Sequence, residues 1–169
     1  MIFMSQSGLA TREREADWDR WYIDHLAIML TVPGVRSTQR FKCSTPGHPP
    51  SLAMYSITTA AVFQDPYYLR VRGMGEWLPL IDRRWYRRNL FDGAAIAPAV
   101  GSRQVLLVRD SDMPGAAPEG ARVLWLRSVG LDRSTAYRGI DVVDAMNEDA
   151  APPGYMVYRP VTEHLTSPC

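Results

Sequence analysis

His25 lies in the run DWDRWYIDHLAIML, four residues after Trp21 and three after Tyr22. An imidazole with its ordinary pKa of about 6.5 can carry a proton near neutral pH. At about 100° per residue, Tyr22 shares the helix face of His25. Tyr55, in the strand-like run LAMYSIT, can point into the same space. Arg40 can grip a carboxylate or an enolate oxygen with a two-pronged contact. These four describe a general acid–base site, with His25, Tyr22 and Tyr55 as the catalytic groups and Arg40 binding substrate. The competing reading is a buried histidine pinned to a backbone carbonyl.

Aromatic residues surround that group. Trp18, Trp21, Trp77 and Trp85 could line a cavity for a planar apolar molecule, with Tyr67 and Tyr68 nearby in sequence, or could simply pack the core. The run RRWYRR, with Arg83, Arg84, Arg87 and Arg88, reads either as a clamp for an anion or as a solvated face with salt bridges. His48 belongs to the Pro/Gly-rich loop STPGHPPS, and His164 stands beside Glu163 near the C-terminus. Neither has a partner at ligand spacing.

Other chemistries lack their residues. No HxH, HExxH or CxxC spacing supports a metal, and neither phosphate-cradling glycine motif nor a GxSxG turn occurs. Lys42 is the only lysine, so a Schiff base would rest on a residue in a probable strand. Cys43 and Cys169 make no disulfide framework. A haem would need His25 as its axial ligand. No cofactor is called for.

The elements that must position these residues follow from periodicity. Trp18, Trp21, Tyr22, His25, Ile28, Met29 and Val32 fall on one arc of a helix, widened by Ile23, Leu26 and Leu30, which leaves only a thin polar stripe. Thr11 is a candidate N-cap, Asp17 a later start, and Val32-Pro33-Gly34 a sharp exit. VRSTQRFKC then alternates, with Arg36, Thr38, Arg40 and Lys42 on a basic face. The segment from Ala60 is helical in pattern but cut by Gly73, Gly75 and Pro79, and RNLFDG reads as a strand. Residues 1–97 therefore predict strand, helix, strand, strand, helix, strand. That order implies an α+β, ferredoxin-like antiparallel sheet with two helices on one face. Residues 98–169 predict a β-rich second half, and the echo of SLAMYSI in GYMVYRP reads either as a degenerate repeat of the first half or as chance resemblance.

Bulk properties agree with an ordinary globule. The chain has 169 residues, 46% hydrophobic, and its 19 basic and 18 acidic residues give a formal charge of +1. That balance argues against a nucleic acid or an anionic membrane as partner. No run approaches the roughly 18 apolar residues of a bilayer span, and no secretory leader is visible, so the expectation is a cytoplasmic protein.

The segment DWDRWYIDHLAIMLTVPGV, followed by QRF and LAMYSI, resembles the EthD-like members of the dimeric α/β-barrel superfamily, on Trp21, Tyr22, His25, Pro33, Gly34 and Arg40. RRWYRRNLFD resembles the segment closing their first half, on Trp85, Arg88 and Asn89. The resemblance covers about residues 13–92. It implies two four-stranded sheets facing each other in a barrel, from a homodimer or from two halves of one chain, with a cleft between helices and sheet. It also adds Trp85, Arg88 and Asn89 to Trp21, Arg40 and Tyr68 as substrate-binding candidates. Members of the superfamily range from monooxygenases to isomerases, cyclases and dehydratases, so fold alone does not choose. The expected function is a cofactor-independent isomerase, cyclase or lyase of aromatic catabolism, acting by histidine acid–base chemistry on an aromatic or polyketide-like carbonyl or carboxylate compound. The alternatives are a non-catalytic binding or accessory protein serving a catabolic oxygenase and, last, a haem protein.

Overall fold

The computed structural model describes residues 1–43, 45–116, 122–145 and 151–167. Its strands are β1 (Ile2–Ser7), β2 (Val35–Lys42), β3 (Ser51–Ile57), β4 (Arg87–Asp92), β5 (Gln104–Ser111), β6 (Leu124–Leu131), β7 (Tyr137–Asp144), β8 (Met156–Pro160) and β9 (Leu165–Thr166). The sheet runs β3-β1-β4-β6-β7-β5-β8-β2, with β9 on the far side of β2, and β2 pairs back onto β3. All pairs are antiparallel. Eight strands thus close a barrel within one chain.

Strand alternation divides two cores. Ile2, Met4, Phe41, Leu52, Met54, Phe91, Leu106 and Val108 fill the barrel. Phe3, Ala53, Tyr55, Ile57 and Leu90 point outward into a second core under helix α1 (Glu15–Leu30), which supplies Trp18, Tyr22, Leu26 and Met29. Helix α1 begins at Glu15 with no side-chain cap, so Thr11 lies outside it. Its buried stripe is narrower than the sequence suggests, with Ile23 50% and Ile28 43% exposed. The exit behaves as Pro33-Gly34 implies. Gly34 has φ +89°, and a Cβ there would stand 2.6 Å from the Thr58 hydroxyl and 2.7 Å from Val62.

The basic face of β2 meets solvent at Arg36 but turns under α1 further along. A bulge between Val35 and Ser37 turns Val35 under α1 while Ser37 enters the barrel side of the strand, bonded to Ser56 at 2.6 Å. Arg40 and Lys42 face α1 and pair with Asp19 at 2.8 and 2.6 Å, Lys42 also with Glu15 at 2.7 Å.

The expected α+β, ferredoxin-like class is overturned, and with it the α/β-barrel description. The molecule is a mostly β, closed eight-stranded antiparallel barrel rather than a sheet faced by two helices. The second helical segment, expected as a broken helix or two short ones, is a series of fragments too short to cover a sheet: a 3₁₀ turn at Ala60–Gln64, helix α2 (Pro66–Val71) of six residues and a 3₁₀ turn at Gly75–Leu80. The physical reason is local. Asp65 and Pro66 start α2, Gly73 and Gly75 adopt positive φ, and Pro79 removes a donor, so no run reaches the length of a covering helix. The sheet edges that such a fold would leave open are instead paired, β4 with β6 and β2 with β8.

The ring has an internal two-fold. Its first four strands run β4-β1-β3-β2 and its last four β8-β5-β7-β6, so adding four to each strand number reproduces the order. The described residues between β5 and β6 contain no counterpart of α1. Among the described residues no helix is long and apolar enough to cross a membrane.

Candidate functional site

A cavity of about 440 Å³ lies between α1 and the outward face of β1 and β3, and is bounded by α2 and the loop after it. Its size is that of a small-molecule site. The cavity exists because α1 covers the sheet with large aromatics, while the fragmented 60–80 segment closes only one side.

His25, half-buried on α1, lines the cavity. Its ring stacks face to face on Trp21, with centroids 4.8 Å apart and planes at 11°, and meets the edge of Tyr22 at 5.9 Å. Burial lowers its pKa from 6.5 to about 4, so the imidazole is neutral at pH 7 and offers a lone pair. Tyr22 and Tyr55 are 1% and 2% exposed and share a side-chain hydrogen bond, which Tyr22 extends to Ser5. Burial raises both phenols, Tyr55 well above its ordinary value, so both stay protonated donors. Phe3 stacks on Tyr55 at 5.1 Å and fixes its ring.

Tyr68 enters from α2. Asp65 caps that helix by accepting from the backbone N–H groups of Tyr67 and Tyr68 at 2.8 and 3.0 Å, which aims Tyr68 inward. Its phenol is raised, chiefly by burial, and its hydroxyl bonds Arg72. Arg88 comes from β4, whose backbone N–H donates to Asp132 at 2.7 Å. Its Nε is buried without a hydrogen-bond partner, and its guanidinium lies 5.8 Å from the Tyr86 ring. Among the described residues, no aspartate or glutamate lines the cavity. A cation-bearing, donor-rich, carboxylate-free cavity is complementary to an anion or to an oxygen that becomes one.

The structure thus brings His25, Tyr22, Tyr55, Tyr68 and Arg88 to one cavity, with Trp21 behind the histidine. Arg40 is elsewhere. Only 1% exposed, it donates to Asp19 at 2.8 Å and Ser51 at 3.2 Å and lies 4.3 Å from the Tyr22 ring and 4.8 Å from Trp18, so it props Tyr22 from behind. Asn89 points into the barrel, where Ser134 donates to it at 2.8 Å and accepts from it at 2.9 Å. Trp85 borders a separate groove of about 600 Å³ together with His48. His164 lines a shallow depression with Val100 and Thr162. Of the two readings of RRWYRR, a solvated face with salt bridges is what Arg84 and Arg87 show: Arg84 pairs with Asp82 at 2.6 Å, and Arg87 donates to the carbonyls of Arg83 and Tyr86.

Sequence reasoning missed Ser5, Arg72, Met74 and Tyr86, all of which line the cavity. Ser5 carried no periodic signal, since MIFMSQS is apolar and then polar. The others sit in irregular segments without periodicity. Among the described residues no cluster of three or more His, Cys, Asp or Glu could hold a metal. No protein-family model matches the chain, and no curated protein matches it.

Proposed function

We propose that the chain is a small-molecule acid–base enzyme acting on a hydrophobic carbonyl compound, aromatic or polyketide-like, without a cofactor. The observation that carries this reading is that His25, with its neutral imidazole, and Arg88 line one cavity that has no carboxylate among the described residues. His25 removes a proton from the carbon next to the carbonyl, and the electron pair moves to the carbonyl oxygen. Tyr22 or Tyr55 donates to that oxygen, and Arg88 supplies positive charge. Return of the proton at another carbon gives isomerisation, attack on an internal electrophile gives cyclisation, and loss of a β-hydroxyl as water gives dehydration. Each route balances without an oxidant.

The direct test is deuterium uptake. Aryl ketones and 3-oxo acids incubated in D₂O are followed by NMR for exchange at the activated carbon. Exchange well above the solvent rate is expected, and His25→Gln should reduce it about 10²- to 10⁴-fold with the fold intact. Equal exchange in the two proteins would refute the role of His25. The face-to-face stacking of Trp21 on His25 favours a second reading, a binding or accessory protein in which the ring is only a wall. In that case ligands bind and no exchange occurs.

A further inference from the structure

The cavity is not uniform from floor to mouth. Its deep hydroxyl-bearing residues are Ser5, Tyr22 and Tyr55, 5%, 1% and 2% exposed, which stand beside the apolar Phe3 and Met29, and Arg88 also lines it. Its outer residues include Leu69 and Leu78, which are 46% and 56% exposed. They come from different elements, α2 and the following 3₁₀ turn, yet border one opening. Leaving two leucines in water at the rim of a cavity is unfavourable unless something apolar covers them. Arg72, exposed and beside Tyr68, also stands at this opening. Between the leucines in sequence stands Met74, 5% exposed and lining the same cavity. Gly73 and Gly75 flank it at φ +97° and +48°, with no atom within 4 Å of either Cβ position. An unbranched thioether on so permissive a backbone can repack around what enters.

We propose that the ligand is an amphiphile, with an oxyanion or carbonyl head on the donor floor and an unbranched apolar tail leaving across Leu69 and Leu78, and that Met74 sets the tail length admitted. This rests on the acid–base reading only for the position of the head. The two rim leucines select the tail, because an aromatic acid without one would leave both uncovered.

The test uses benzoate and its 4-n-alkyl derivatives from methyl to octyl, with binding followed by tryptophan fluorescence and calorimetry. Affinity is expected to rise about two- to fourfold per methylene, the burial of each CH₂ being worth about 0.8 kcal/mol when complete, and then to plateau. Met74→Ala should move the plateau out by two or more carbons. Leu78→Asn, at an exposed position where folding is not at stake, should flatten the slope. Affinity independent of tail length, a slope unchanged in Leu78→Asn, or a series that does not bind at all would overturn the proposal. Failure of the acid–base reading looks different: tail-dependent binding persists while carbonyl compounds show no deuterium exchange above solvent.

Discussion

At the scale of single residues, His25 and Arg88 are informative because each holds a state that water would not favour. The His25 imidazole has its pKa lowered from 6.5 to about 4 by burial, so between those values the unfolded chain binds a proton that the folded chain does not. Stability therefore rises with pH across that window, is complete above about 6.5, and is lost as pH falls toward 4. Allowing for the part of the ring that water reaches, the loss is on the order of 2 kcal/mol. Urea unfolding at pH 4 to 7 should show this slope in the natural protein and a shallower one in His25→Gln. The same neutrality keeps the base competent in mild acid, so the acidic limb of any exchange rate should lie near pH 4 instead of 6.5. Two arginines make the complementary contrast. Arg40 is buried against Asp19 and two aromatic rings, whereas Arg88 has a buried nitrogen without a partner. Arg40→Ala should destabilise the fold by about 3 kcal/mol, a fall in Tm of roughly 6–12 °C. Arg88→Met should change Tm little and weaken binding of benzoates tenfold or more.

At the scale of elements, helix α1 and the 60–88 segment were legible to different degrees. The spacing of Trp18, Trp21, Tyr22 and His25 places them on one helical arc whatever the helix packs on, so the candidate base could be picked from sequence. Which strand residues would face it was not legible. Arg40 and Arg88 both sit in strands, and alternation fixes only which neighbours share a face. Asp19, on another element, decides that Arg40 is neutralised. The 60–88 segment carries helical composition, but its prolines and glycines leave α2 six residues long. Its cavity-lining residues Arg72, Met74 and Tyr86 lie outside helices and strands, where no period exposes them.

At the scale of the whole molecule, the barrel is two four-strand sets joined at unequal seams. Within each set the ladders hold long registers, such as β5 with β7 from Gln104 to Ser111. Between the sets β2 meets β8 only at Phe41↔Pro160 and Lys42↔Arg159, and β4 meets β6 across a bulge. Hydrogen exchange should therefore find the β2–β8 seam opening first, with the amides of β1 and β3 among the last to exchange. Uniform protection around the ring would contradict this order. Among the described residues, the two-fold ring order does not extend to the helix that covers the cavity. The outward residues Val105, Leu107 and Val157 are packed into a small apolar cluster with Tyr155, not beneath a counterpart of α1. By itself the sequence determined the local facts, because these depend on neighbours a few residues apart: a helix carrying His25 among aromatics, its exit at Gly34, and a run of short strands. Only the tertiary structure decided that the strands close on themselves, that Arg88 and not Arg40 reaches the cavity, and that two leucines stand at its mouth. Those outcomes depend on strand register and on charges that meet across distant segments, and neither is encoded in any local period.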